Sequence, residues 1–236
     1  MHDRVVWTRN LSALADLDPE LRRRISDAPG GRLVDGPDGL ALHRGLTPVA
    51  VRETAEAARA RLPEGDRVLL MGAGEGTAVV EALAAGRTVW CWDRDPSFLR
   101  PLLHRHAVDE ALREGRLHLC AGADLCAVPG DLPATVHPAL GAMYADEVAS
   151  VGQDGPWALL VEGTLFVADV GRALRAEGHR VFRWDVADLP TDELDRTART
   201  LAPRVVVGIN HTRGLAEACE ALGVPLVEWE IDPATD

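Results

Sequence analysis

The chain has 236 residues and a formal net charge of −12, with 47% hydrophobic and 26% charged residues, so a sizeable core can form and bulk disorder is excluded. An acidic surface of this size repels phosphate backbones, and we expect no nucleic-acid binding. All 25 basic residues are arginines, which excludes Schiff-base lysines and the lysine of Walker-type phosphate loops.

The cysteines and the apolar runs predict the cellular location of the protein. No two of the four cysteines form a C-x-x-C pair, so we expect buried thiols in a reducing cytoplasm, with neither disulfides nor a zinc site. No apolar stretch reaches membrane-spanning length and no secretory signal precedes the first elements, so we expect a cytoplasmic chain without a membrane span.

The first 47 residues predict a helical and hairpin extension. Asp18 is a suitable N-cap for a helix that has Pro19 at its first position. Residues 32–42 alternate around a Gly/Pro turn, as a hairpin does. Ala-rich residues 48–62 have helical spacing.

Strands and helices then alternate. Residues 67–71 form a continuous apolar run, typical of a buried parallel strand, and further strands are predicted at 88–92 and 117–120. Helices are predicted up to Ala85 and over 96–114, and residues 126–138 read as irregular. We therefore expect a Rossmann-like unit over 48–151.

The alternation restarts after a Gly/Pro-rich linker at 152–156. Four strands and three helices are predicted over 156–236, which is half of a typical doubly wound domain. The predicted fold class is therefore α/β, with two consecutive Rossmann-like parallel-sheet units behind the helical and hairpin extension.

The motif that carries most chemistry in the first unit is Gly72-Ala73-Gly74-Glu75-Gly76, between a predicted strand and a helix. Glycines let a ligand approach main-chain N–H groups at a helix N-terminus, and the G-x-G-x-G spacing differs from the dinucleotide fingerprint. Asp93, at the end of the next strand, is placed to accept ribose hydroxyls, and Asp124 follows the third strand.

This set resembles the cofactor site of class I S-adenosylmethionine-dependent methyltransferases. The resemblance implies that Gly72, Gly74 and Gly76 form the methionine-side turn, that Asp93 holds the ribose and that Asp124 lies near the adenine. The alternative is that the glycines only tighten a turn and that Asp93 caps the following helix.

The second half carries another resemblance, in the blocks Pro203 to His211 (P-x-V-V-x-x-I-N-H) and Leu222 to Asp232 (L-G-V-P-L-V-x-W-x-x-D). It resembles the N-terminal half of CgeB-type glycosyltransferases, the spore-maturation group, which are similar to GT-B enzymes. The preceding region, up to Val136-His137-Pro138, also resembles the leading part of those enzymes and of Maf-type glycosyltransferases.

This resemblance implies the acceptor side of a glycosyltransferase that uses a nucleotide sugar. We expect the donor half outside this chain, in a partner or a further domain that completes the cleft. The main alternatives are a small-molecule methyltransferase using S-adenosylmethionine at the Gly72 turn, and a non-catalytic binding module.

Ligands of open α/β sheets bind outside the carboxyl ends of the strands, where four residues of the second half are predicted to lie. Gly163 and Asn210 are candidates for substrate binding, because an amide both donates to and accepts from sugar hydroxyls. His211 is a candidate general base and Asp232 could share or support that role. The alternative is an Asn/His turn and an Asp cap. We expect no metal site.

Overall fold

The computed structural model describes residues 4–28, 33–36, 39–44, 47–162, 166–185, 191–210, 212 and 214–230. The chain divides into two compact units, Met1–Met143 and Tyr144–Asp236, hereafter the first and the second unit. Among the described residues, no helix is long and apolar enough to cross a lipid bilayer.

The first unit begins with two helices and a small sheet, followed by alternating strands and helices. Two 3₁₀ turns, Pro96–Leu99 and Gly122–Ala127, follow the strands that end at Asp93 and Ala121. Its elements are α1 (Arg4–Leu17), α2 (Pro19–Asp27), β1 (Leu33–Gly36), β2 (Gly39–Arg44), β3 (Thr47–Ala50), α3 (Ala55–Arg61), β4 (Arg67–Met71), α4 (Thr77–Ala84), β5 (Thr88–Asp93), α5 (Arg100–Arg105), α6 (Asp109–Arg113), β6 (Leu117–Ala121) and β7 (Ala134–Val136).

Four of these strands form a parallel sheet in the order β6-β5-β4-β7. Counted along the chain the order is 3-2-1-4, which matches the first four strands of the Rossmann arrangement. The chain reverses its direction of progress between β4 and β7, so the topological switch point lies where these two strands end. Strand β4 is buried on both faces from Val68 to Met71, as its continuous apolar run predicts.

The two N-terminal helices pack into the core of the first unit, α1 against α2, α5 and α6, and α2 against the 3₁₀ turn that follows β5. Asp18 caps α2 through a 2.8 Å bond from the Leu21 amide, as predicted. Ile25 of α2 belongs to the same buried cluster as Val68 and Leu70 of β4. The small sheet β1-β2-β3 is antiparallel.

The second unit contains four strands and four helices among its described residues. They are α7 (Ala145–Ser150), β8 (Trp157–Glu162), α8 (Val167–Ala176), β9 (Arg180–Asp185), α9 (Thr191–Leu201), β10 (Val205–Ile209), α10 (Leu215–Leu222) and β11 (Leu226–Trp229).

Its sheet is also parallel but has a different order, β11-β10-β8-β9. Read from the other edge this is 2-1-3-4, the order of flavodoxin-like sheets, whose switch point lies between the first and third strands. In this unit those strands are β8 and β10. One face is covered by α8, whose Val167, Val170 and Leu174 pack against Leu160 and other sheet residues.

Helix α7 belongs to the second unit because it bonds to strand β9. The Ser150 hydroxyl accepts from the Val181 amide at 2.8 Å, and the Glu147 carboxylate accepts from the Arg183 amide at 2.8 Å. Asp146 forms a buried ion pair with Arg183 and another with Arg175 of α8. The compact unit therefore starts about eight residues before the Gly/Pro-rich linker at 152–156.

The predicted fold class is confirmed, since two four-stranded parallel sheets are flanked by helices. Three local expectations differ from the structure. Residues 47–50 form β3 instead of a helix, the helix predicted over 96–114 is broken into a 3₁₀ turn and two short helices, and residues 134–136 form strand β7. The last difference matters most, because β7 completes the switch point of the first sheet.

Candidate functional sites at the carboxyl edges of the two sheets

The glycine turn, Gly72–Gly76, lies at the switch point of the first sheet, between β4 and α4. The Gly72 amide donates to the Trp92 carbonyl at 2.8 Å, which ties the turn to β5. Gly72, Gly74 and Gly76 have φ values of +88°, +54° and +91°, in the left-handed region that only glycine adopts readily. The backbone geometry alone thus requires glycine at these positions.

The space in front of each glycine is filled by side chains of the same unit. A Cβ built on Gly74 would lie 2.9 Å from the His137 Nε2 and 3.1 Å from the Val51 carbonyl oxygen. One built on Gly72 would lie 2.8 Å from the Leu140 Cδ1, and one on Gly76 would lie 2.6 Å from the Leu102 Cδ1. The turn is therefore packed against its own protein, with no room even for a methyl group.

Both carboxylates predicted to bind a nucleoside already have partners within the protein. Asp93 is fully buried, and its Oδ2 accepts from the Ala73 amide at 2.7 Å. The Asp124 Oδ2 accepts from the Arg24 guanidinium at 2.8 Å and from the Ala121 amide at 3.3 Å. Asp93 therefore braces the glycine turn, and Asp124 joins α2 to the segment after β6.

Two histidines that the sequence did not single out stand at this turn. The His137 Nδ1 lies 3.3 Å from the Ala139 amide, which donates to it, so the neutral ring carries its proton on Nε2. The His106 Nε2 lies 3.0 Å from the Glu75 carbonyl and donates to it. Burial lowers the pKa of both rings below the ordinary value, although Glu75 raises the pKa of His106 and Glu53 raises that of His137 to a smaller extent.

The side chains present do not fit S-adenosylmethionine at the glycine turn. A cofactor at this position needs open space beside the glycines and a carboxylate directed to its ribose. The space holds His137, Leu140 and Leu102, and the Asp93 carboxylate holds the turn instead.

The carboxyl edge of the second sheet is different, because exposed aromatic side chains and an amide lie there. Asn210 directly follows β10, with φ at +62°, and its backbone N–H donates to the Trp229 carbonyl at 2.9 Å. Phe166 immediately precedes α8 with φ at +58°. Asn210 follows one of the two strands that flank the switch point, and Phe166 lies a few residues beyond the end of the other, β8.

Phe166 and Trp229 form an exposed aromatic pair. Their ring centroids are 5.7 Å apart with planes inclined by 32°, and each residue is 49% exposed. Val227 of β11 is 53% exposed. Strand β11 is the edge strand of the sheet, and its last three residues are exposed to solvent.

Three predicted site residues, Gly163, His211 and Asp232, lie outside the described residues. Their proposed roles stay predictions, as does that of Asn210. Within the described ranges, no group of three or more His, Cys, Asp or Glu residues is arranged to hold a metal ion.

No protein-family description matches this chain, and neither a curated protein nor a solved structure matches it.

Proposed function

We propose that the second unit is the acceptor-binding side of a glycosyltransferase that uses a nucleotide sugar. The main support is the edge of the second sheet. Asn210 follows β10, one of the two strands that flank the switch point, and its backbone amide donates to the carbonyl of Trp229, whose ring pairs with that of Phe166. Ligands of open α/β sheets bind outside the carboxyl ends of the strands, near such a point. The donor-binding half would be supplied from outside these residues.

The chemistry of this edge suits a sugar. An exposed aromatic ring packs well against the apolar C–H face of a pyranose. A carboxamide such as that of Asn210 donates one hydrogen bond and accepts another, as vicinal hydroxyls require. The combination binds a ligand with an apolar face and a polar rim.

Backbone strain supports the same location. Three non-glycine residues among those described have left-handed φ values, and two of them, Phe166 and Asn210, are at this edge. Such conformations are unfavourable and concentrate at functional sites, where the surrounding structure holds them. Asn tolerates the left-handed region better than most residues, whereas Phe does not.

The proposed transfer needs one proton acceptor. The acceptor hydroxyl oxygen bonds to the anomeric carbon, and the bond from that carbon to the diphosphate breaks. The nucleoside diphosphate leaves with the electron pair, and the hydroxyl proton passes to a base. His211, next to Asn210 in the chain, is the proposed base, with Asp232 as the group that supports it.

A glycan array tests the acceptor proposal on the chain as it stands. We expect the labelled protein to bind at least one class of immobilised glycan. Asn210→Ala and Trp229→Ala should each weaken that binding by about tenfold or more, since each removes a group that contacts the ligand. Glu217→Ala, on the exposed side of α10, is the matched control and should bind as the wild type does. Absence of binding to every glycan, or equal binding by all variants, contradicts the proposal.

The methyltransferase alternative has less support, because the glycine turn leaves no room for its cofactor. The non-catalytic alternative predicts the same folded units without transfer of a sugar. It is separated from the transferase by assaying glycan-dependent release of UDP from UDP-glucose, with a donor domain joined to the chain.

A further inference from the structure

We infer that the glycine turn of the first unit is an internally filled site, in which His137, Leu140 and Leu102 occupy the space that a nucleoside cofactor takes in proteins with a similar turn. The first unit would then have the fold of a cofactor-binding domain but would be stable without a bound cofactor. This inference is independent of the acceptor site proposed for the second unit.

The close contacts come from two separate parts of the first unit. Leu102 belongs to α5, His137 follows β7, and Leu140 lies in the turn after it. Each approaches a different glycine at a distance that leaves no space for an added heavy atom. Because these side chains are held by separate elements, no single rotamer change opens the whole turn.

The outer side of the turn is also held by the chain. The Glu75 carboxylate accepts from the Leu40 amide of β2 at 3.3 Å and pairs with Arg105 of α5 at 3.1 Å. The Thr77 hydroxyl donates to the Glu53 carbonyl at 3.3 Å. These contacts attach β2 and the segment before α3 to the turn and to the start of α4.

Internal bonds already engage two polar groups of the turn, the Ala73 amide and the Glu75 carbonyl. The Asp93 carboxylate accepts from the Ala73 amide in the middle of the turn, and the His106 ring donates to the Glu75 carbonyl. Buried polar groups require such partners, so a ligand would have to displace them and replace each bond.

Titration of the wild-type chain with S-adenosylhomocysteine, followed by calorimetry, tests closure without any substitution. We expect no saturable heat up to about 1 mM ligand, a range that detects dissociation constants well above those of working cofactor sites. Saturable binding of S-adenosylhomocysteine would overturn the inference, whether or not the Asp93→Asn substitution weakens that binding.

Glycine substitutions test the packing part of the inference. Gly86 has a left-handed φ of +78° but nothing within 4 Å of an added Cβ, so Gly86→Ala measures backbone strain alone. Gly74→Ala has a similar strain plus contacts with His137 and Val51, and we expect a clearly larger fall in Tm. Equal falls in the two variants would contradict a filled turn.

His137→Ala provides a second test, because it empties the space in front of Gly74. Added imidazole should raise the Tm of His137→Ala in a saturable manner and leave the wild type unchanged, since only the variant has a vacancy. If imidazole shifts neither protein or both equally, the ring does not fill the site. Should this variant fail to fold, the calorimetry on the wild type still decides.

Discussion

Among the described residues, three that are not glycine have an unfavourable left-handed φ. Phe166 and Asn210 lie at the carboxyl edge of the second sheet, whereas Ala202 is an exposed residue just after α9. Ala202 is not part of the proposed binding site, so it serves as a reference for the effect of backbone strain alone. Comparing the positions separates conformational strain from binding.

Replacing Asn210 tests this distinction. Asn210→Gly should be more stable than Asn210→Ala by about 1 kcal/mol, because glycine adopts left-handed φ without a Cβ clash. Both variants lose the carboxamide and should lose glycan binding alike. Urea denaturation gives the stabilities and the glycan array gives the binding.

Ala202→Gly is the matched control for the strain at Asn210. Its free energy of unfolding should rise by a similar amount, about 1 kcal/mol, and it should bind glycans as the wild type does. If Asn210→Gly were no more stable than Asn210→Ala, the backbone at this position would not be strained. Retained glycan binding in both variants would instead remove Asn210 from the site.

The two histidines at the glycine turn predict how stability depends on pH. Their pKa values are lowered by burial, so between the folded value and the ordinary value of 6.5 the unfolded chain binds protons that the folded chain does not. Their contribution is fully present above about pH 6.5 and is lost as the pH falls below it. Each histidine adds a slope of at most about 1.4 kcal/mol per pH unit.

His137→Gln should therefore flatten the fall in unfolding free energy between pH 7 and pH 5, and His106→Gln should do so as well. The measurement is urea denaturation at several pH values across this interval. A slope that is the same in the wild type and in both variants would show that neither ring is held neutral by burial.

At the scale of elements, one fully buried polar side chain of α1 bonds to the backbone between α5 and α6. The Asn10 carboxamide donates to the carbonyls of Leu103 and His106 at 2.8 Å each, and accepts from the Val108 amide at 3.0 Å. These three backbone groups lie where α5 ends and α6 has not begun, so the helices themselves leave them unpaired.

Asn10→Ala should destabilise the protein by about 3 kcal/mol, since it leaves several buried polar groups without partners. Ser12→Ala, on the exposed side of the same helix, should change the free energy of unfolding by less than about 0.5 kcal/mol. Chemical denaturation compares the two. An Asn10→Ala variant as stable as Ser12→Ala would mean that water replaces the carboxamide at little cost.

The elements that sequence reasoning predicted well are those whose pattern is local. Strands β4 and β8 are buried on both faces and read as continuous apolar runs, and Asp18 with Pro19 marks a helix start by hydrogen-bonding chemistry alone. Strand β7 has three residues after a proline and no apolar run, so only its pairing with β4 makes it a strand. That pairing is tertiary and leaves no local signal.

The candidate sites show the same division. The position of the glycine turn and of Asp93 followed from the spacing of strand, turn and helix. The filling of the turn did not, because Leu102 and His137 come from 26 or more residues further along the chain. His137 follows a strand that the sequence did not reveal, so no local pattern placed it beside the glycine turn. The exposure of Trp229 depends on β11 lying at the sheet edge, which is set by strand order.

For the whole molecule, the two sheets share an architecture and differ in the side chains that lie at their carboxyl edges. The first edge is closed by its own leucines and a histidine, and the second presents an aromatic pair beside a strained asparagine. Fold alone assigns no function to either unit, so the difference between the edges carries the assignment.

Backbone and indole ¹H–¹⁵N shift mapping tests this difference within one sample. Methyl glycosides of glucose, galactose, mannose and N-acetylglucosamine, at about 20 mM to detect weak binding, are titrated separately from S-adenosylhomocysteine. The account predicts saturable shifts at Asn210 and the Trp229 indole with at least one glycoside, and none at Ala73 or Gly74 with S-adenosylhomocysteine. Shifts of Ala73 and Gly74 with the nucleoside, together with an unresponsive Asn210 and Trp229, would contradict it.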